Sequence, residues 1–425
     1  MNRLLRVLAL PATLLAVSAA WVLAQDITLI EPNEVGLSAD RLDRISDVME
    51  DYVEAKKIAG TVTLVARAGE VAHLGITGMQ DVEAGKGMQE DTIFRIASMT
   101  KPITSVAVMM LFEEGHFLLT DPVSKYLPEF KDMRVLVEDS SEEIEPAKRP
   151  ITIKHLLTHT SGLTYQWNAR LGNKYQAAGI THGLIEDPKT IAEGVKALAA
   201  LPLLHHPGDK FTYSLSIDVL GRLVEVWSGV PFDEFLRERI FDPLEMEDTG
   251  FFIPEEKVGR LAAVYEREKG GAIRRVGEGP QPGDHGMVHT VAYPYKGSKS
   301  YYSGGGGLVS TIGDYYRLAQ MILNGGELDG ERLLSRKTVE YMTSDHVGEL
   351  REDGFGLGFF VDRNVGEFRG LSSVGTHGWG GFFYTSFFID PEEELIGIYM
   401  SQLHPSGGLD LAAKFRVLAY QSIDD

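Results

Sequence analysis

The feature that most constrains the fold is that strand-like segments gather towards the two ends of the chain. Thr61 to Ala68 and Glu70 to Ile76 read as strands and meet through Ala68-Gly69, the signature of a hairpin. Gly356 to Asp362, Phe382 to Ile389 and Leu395 to Ser401 read as strands near the other end, with Asp390-Pro391-Glu392 turning the last two against each other. A helix opens at Ser38 and runs to about Lys57 with Leu42, Ile45, Met49 and Val53 on one face; another spans about Asp410 to Gln421. These segments predict one α/β domain whose antiparallel sheet is built from both chain ends and flanked by helices. The stretch from about 95 to 310 is mostly helical and loop-rich and reads as an insertion.

At the start of that insertion, Asp91 to Ile96 alternates as an extended segment does. It runs into an apolar helical stretch through Ile103, Val106, Val108, Met109, Met110 and Leu111, closed by Glu113-Glu114-Gly115. At the junction stands Ser98-Met99-Thr100-Lys101. A spacing of three on a helix puts serine and lysine on one face, within reach of each other. Serine is a weak nucleophile without an adjacent base, and a lysine amine serves as one when burial or nearby positive charge lowers its pKa. Pro102 fits the first turn, so Ser98 falls at a helix N-terminus, where free N–H groups favour a developing oxyanion. On these residues alone, Ser98 is either that nucleophile or an N-cap beside a solvated Lys101.

Two later segments can complete such a site. Phe211-Thr212-Tyr213-Ser214-Leu215-Ser216 follows the Pro207-Gly208 turn and precedes an amphipathic helix bearing Val219, Leu223 and Trp227. Tyr213 there either plugs the helix end or points into a cleft, where a neighbouring ammonium makes its phenol a proton carrier. His377-Gly378-Trp379-Gly380-Gly381-Phe382 puts a glycine cluster before an apolar strand. It is either a tight turn or a place where backbone N–H groups approach a ligand.

Composition excludes several classes. The chain has 425 residues, 44% of them hydrophobic, and a net charge of −20 with no Lys/Arg-rich run, which argues against nucleic acid or anionic lipid as a partner. It has no cysteine, and hence no disulfide or thiolate metal site. Arg3 and Arg6 precede an uncharged run from Val7 to Ala24, ending Val22-Leu23-Ala24. Residues 1–24 therefore read as a signal peptide or membrane anchor, and the remainder as periplasmic or secreted. His155 and His159 have metal-ligand spacing but no evident third ligand, and Glu138-Asp139-Ser140-Ser141-Glu142-Glu143 reads as a solvated loop. Tyr301 and Tyr302 either line a pocket or pack.

Taken in order, these segments resemble the serine β-lactamase-like superfamily, in particular the class C-like branch that includes the family VIII carboxylesterases. The resemblance spans nearly all of 25–425. It rests on Ser98 to Lys101, on Ile151 to Leu163 with its Leu-Leu-Thr-His-Thr-Ser-Gly-Leu core, on Tyr213 to Gly221, on Ser303 to Thr311, and on His377 to Gly381. It implies a β-lactamase/penicillin-binding-protein-like fold with no cofactor and no metal. It further implies Ser98 as acyl-accepting nucleophile, Lys101 as its activating partner, Tyr213 as proton relay, and the backbone N–H groups of Ser98 and Phe382 as oxyanion hole. Leu215, Trp379, Gly380 and Gly381 would meet the substrate. Leu215 stands where a β-lactamase has asparagine, and Trp379 where those enzymes carry the lysine of Lys-Thr-Gly. Losing an amide and a cation disfavours anionic lactams and favours neutral esters. The implied reaction is ester hydrolysis through an acyl-enzyme on Ser98. The alternatives are a β-lactamase, a D-amino-acid peptidase or amidase, an acyltransferase using the same acyl-enzyme, and a catalytically silent binder.

Overall fold

The structure is a computed structural model that describes residues 27–138, 140, 142–268, 270–283, 287–364 and 370–425. The leader expected over 1–24, together with Asp139 and Ser141 of the acidic loop, lies outside the described residues; Glu138, Glu142 and Glu143 are exposed. Among the described residues, no helix is long and apolar enough to cross a membrane.

The sheet joins the two chain ends. β1 (Gly60–Arg67) and β2 (Glu70–Asp81) form the expected hairpin, and β3 (Lys86–Gly87) adds an edge. β1 then pairs antiparallel with Leu395–Met400, which pairs in turn with Thr385–Asp390, His377–Gly381, Phe360–Val361 and Gly354–Phe355, completing an 8-stranded antiparallel sheet. Alternate residues of β1 serve two cores. Val62, Leu64 and Ala66 share a core with residues of the 95–310 segment, whereas Val65 packs with α1 (Ala39–Glu54) and the Leu411–Tyr420 helix. Both faces are covered, so β1 is buried at every position but Arg67.

Two strand expectations need correction. Gly356 to Asp362 is not one strand but lies across a tight hairpin, because Gly358 adopts φ 93° between Gly354–Phe355 and Phe360–Val361. The glycine cluster does not precede a strand; it is one, and Phe382 follows it in the turn completed by Tyr384 at φ 71°. The strand after that turn starts at Thr385.

α2 (Thr100–Glu113) runs through the core, buried from Thr100 to Leu111. A helix apolar on nearly all sides belongs in a core, and Thr100–Leu111 has that composition apart from Lys101 and a few hydroxyls. This placement buries Lys101.

Candidate active site

The nucleophile segment is held on both sides before it reaches Ser98. Phe94–Arg95 pairs with Val309–Ser310, and the Ile96 N–H donates to Leu308 O at 3.2 Å. Arg95 is almost fully buried, where its guanidinium donates to Val291 O, Ala262 O and the Gln402 side chain. Burial pulls its pKa down to about 10, opposed by Tyr293, Tyr295 and Glu278. Ala97 then takes φ 42°, a left-handed conformation costing about 1–3 kcal/mol. The chain turns there through Ala97–Met99 into α2, which leaves Ser98 partly exposed at the helix entrance.

Three of the expected residues converge. Lys101 Nζ donates to Ser98 Oγ at 3.2 Å, and the Tyr213 hydroxyl donates to the same oxygen at 2.7 Å. The ammonium also donates to Gly305 O and lies 4.5 Å from the centre of the Tyr213 ring. α2 grips the glycine run at three points: Thr104 Oγ1 donates to Gly304 O at 2.8 Å, Lys101 to Gly305 O, and Leu308 N–H to Thr100 Oγ1 at 3.1 Å. The run cannot carry side chains there. A Cβ on Gly304 would sit 2.6 Å from Ile217 O, and one on Gly305 2.5 Å from Asp218 Oδ2.

Tyr213 is clamped by His159. The His159 carbonyl accepts the Thr212 N–H at 2.8 Å, its Nδ1 accepts the Ser214 N–H at 3.2 Å, and its ring lies 4.7 Å from the Tyr213 ring. Burial first, then the Lys101 and Arg351 charges, hold this imidazole well below its usual pKa, so it is neutral and its Nδ1 stays an acceptor. His155 does something else: its Nδ1 accepts the Thr152 N–H in a capping box. Among the described residues, no group of three or more His, Asp or Glu could hold a metal ion.

Ser98 and Tyr213 open into a cavity of about 650 Å³, lined by Trp379, Gly380, Gly381 and Phe382 from one wall and by Trp167, Arg351 and Met287 from others. Trp379 Nε1 donates to the Tyr213 hydroxyl at 3.4 Å, so the indole faces the reacting atoms. A Cβ on Gly381 would lie 2.5 Å from Ile96 O, which shows how closely that strand approaches the nucleophile segment. Leu215 is the exception. It is 1% exposed and belongs to the core: its N–H donates to Thr164 O as the loop turns to begin the helix at Ser216, and its side chain enters the apolar interior. Leu215 thus does not line the cavity. Tyr301 packs in the core, and Tyr302 packs against it.

Sequence reasoning missed Trp167, Met287, Arg351, Phe360 and His404 in the lining. It also missed Asp218, although an acid between Ile217 and Val219-Leu220 on a buried helix face was a visible signal.

The model of the family described as beta-lactamase matches residues 45–421. The chain belongs to the beta-lactamase family. It is 34% identical over 372 residues to the esterase EstB of Burkholderia gladioli, covering 85% of this chain and 90% of that one. It is likewise 34% identical over 391 residues to an uncharacterised protein of Mycobacterium tuberculosis, covering 88% and 92%. Among solved structures it is similar to EstCE1, a hydrolase with promiscuous acyltransferase activity. That likeness has a TM-score of 0.79 and 28% identity, covering 90% of this chain and 98% of that one. The beta-lactamase fold, with its large antiparallel sheet and flanking helices, is therefore shared, and the chain is a serine hydrolase of that family.

Proposed function

We propose that this serine hydrolase cleaves carboxylic esters through an acyl-enzyme on Ser98. The observation that carries the reading is the convergence of Lys101 Nζ and the Tyr213 hydroxyl on one oxygen, Ser98 Oγ, at 3.2 and 2.7 Å. Ser98 Oγ attacks the ester carbonyl while its proton passes to the Tyr213 oxygen, which acts as base in its phenolate form with the Lys101 ammonium beside it and becomes the phenol that later gives the proton up. The tetrahedral oxyanion is held by the backbone N–H groups of Ser98 and Phe382, both at the cavity wall. Tyr213 then protonates the departing alcohol, and the same oxygen takes a proton from the water that releases the acid.

Trp379 favours esters over anionic lactams, because an indole beside Tyr213 offers no charge to a carboxylate. The similarity to the esterase EstB supports ester chemistry. The promiscuous acyltransferase activity of EstCE1 supports a second fate, in which an alcohol accepts the acyl group. A leader over residues 1–24 would export the enzyme, with small esters as its substrates and neither nucleic acid nor membrane as a partner of the catalytic domain.

The test is hydrolysis of a short p-nitrophenyl ester beside a chromogenic cephalosporin, by the protein and its Ser98→Ala variant. Fast ester cleavage with little lactam turnover, both absent in the variant, is expected. Lactam turnover equal to or faster than ester cleavage would overturn the preference assigned to Trp379.

A further inference from the structure

One buried acid stands next to this machinery without a part in it. Asp218 lies in the first turn of the Ser216–Ser228 helix, 1% exposed, and Oδ1 accepts the Ser303 hydroxyl at 2.7 Å. Oδ2 faces Gly305, so closely that a Cβ there would be 2.5 Å away. The residue thus abuts the same glycine whose carbonyl receives Lys101.

We propose that Asp218 is a positioning residue for the reaction: its carboxylate fixes the Ser303–Gly305 loop on which the Lys101 ammonium ends, and its charge balances that buried cation. The inference rests on the assignment of Ser98 and Lys101 as nucleophile and activating partner.

Charge and surroundings agree with this role. Lys101 is fully buried, and a buried cation without a counter-charge is costly. The groups whose charges couple to Asp218 are Lys101 from α2, Tyr165 from the loop after His159, and Tyr301 from the loop before the glycines. Burial is the largest influence on both phenols and pushes them well above their usual value, so they are neutral and Lys101 is the cation Asp218 faces. Burial raises the Asp218 carboxyl to about 6, while Ser303, Lys101 and the Gly305 N–H act the other way. The carboxylate is therefore charged at neutral pH and discharges as the medium turns mildly acidic.

Asp218→Asn keeps the shape and an acceptor but removes the charge, so the variant is fixed in the state the wild type reaches only in acid. The experiment measures two rates from pH 4.5 to 9 in the wild type, Asp218→Asn and Ser303→Ala. One is ester turnover per labelled site; the other is the second-order rate of fluorophosphonate labelling of Ser98. In Asp218→Asn we expect both rates to fall about tenfold or more at pH 8, with KM changed by less than about threefold, and the acidic limb near pH 6 to vanish. In Ser303→Ala, which removes a bond favouring the charged carboxyl, the limb moves to higher pH. A limb that persists unmoved in both variants, or per-site rates that stay at the wild-type level, overturns the proposal and leaves Asp218 a structural residue. Labelling without ester turnover in the wild type would sink the esterase reading instead, while the labelling profile still judges Asp218.

Discussion

Replacing Tyr213 by phenylalanine removes one oxygen from the site and little else. The ring keeps its neighbours: the Lys101 ammonium at 4.5 Å, His159 at 4.7 Å, Tyr165 at 5.4 Å and Trp379 at 5.6 Å. Two hydrogen bonds go, the 2.7 Å bond to Ser98 Oγ and the 3.4 Å bond from Trp379 Nε1. The second is long and half-exposed, and its loss costs at most about 1 kcal/mol. In the proposed mechanism the first is the route by which protons reach the leaving alcohol. A positioned acid–base group contributes about 10²–10⁴ in rate, or about 2.7–5.4 kcal/mol of barrier. The variant should therefore fold normally, lose kcat on a p-nitrophenyl ester by that factor, and keep its KM within about threefold. Rates are normalised to the fraction of Ser98 that accepts a fluorophosphonate, which separates chemistry from misfolding. A loss below about tenfold with full labelling would mean that Lys101 alone moves the proton, and the relay would be refuted.

Three further outcomes follow from the same geometry. Gly381→Ala places a Cβ 2.2 Å from Thr385 Oγ1 and 2.5 Å from Ile96 O, whereas Gly380→Ala meets nothing closer than 3.4 Å. Because a displacement of about 1 Å can cost about 10² in rate, kcat should fall far more for the first variant, and equal losses would contradict the close approach of that strand to Ser98. His159→Asn preserves an acceptor for Ser214 and tolerates the left-handed φ of 53°, while His159→Leu preserves bulk alone. Steady-state kinetics should show Asn within about fivefold of wild type and Leu at least about tenfold slower, and the reverse order would sink the clamp. Asp314 is raised by burial from 3.8 to about 6, against hydrogen bonds from Thr249 and Asp248 N–H. A carboxyl raised on folding contributes stability that is complete below its unfolded pKa and is lost as pH rises to its folded one. Urea unfolding at pH 3.5 and 7.5 should thus show the wild type losing ground to Asp314→Asn by on the order of 2–3 kcal/mol, and an unchanged difference would refute it.

The parts of this molecule legible in the sequence are those whose cause is local. The strand-like segments Thr61 to Ala68, Glu70 to Ile76, Phe382 to Ile389 and Leu395 to Ser401 foretold most of the sheet strands, because a strand buried on one or both faces gathers its apolar residues within a few consecutive positions between turn residues. The Ser98–Lys101 pair was legible for the same reason: one helical turn fixes its spacing whatever surrounds it. Motif order supplied Tyr213 and Trp379, which resemblance rather than periodicity assigned to the site. Leu215, two residues from Tyr213, went the other way because the chain turns between them to start a helix, and a turn redirects side chains in a manner no spacing rule records. The glycine cluster misled similarly: its poor strand propensity was overridden by pairing on both sides, with Phe360–Val361 and with Thr385–Asp390.

By itself, then, the sequence determined which residues are candidates for reactive chemistry and which segments are strand-like or helical. Tertiary structure decided what those residues experience. Lys101 is a first-turn lysine on paper and becomes a fully buried one only because α2 passes through the core. Asp218 gains its significance from Ser303 and Gly305, some 85 positions away, and the cavity wall draws Arg351, Met287 and His404 from segments with no shared pattern. Burial, electrostatic coupling and cavity shape depend on distances between remote parts of the chain, and those distances exist only once the sheet has joined its two ends.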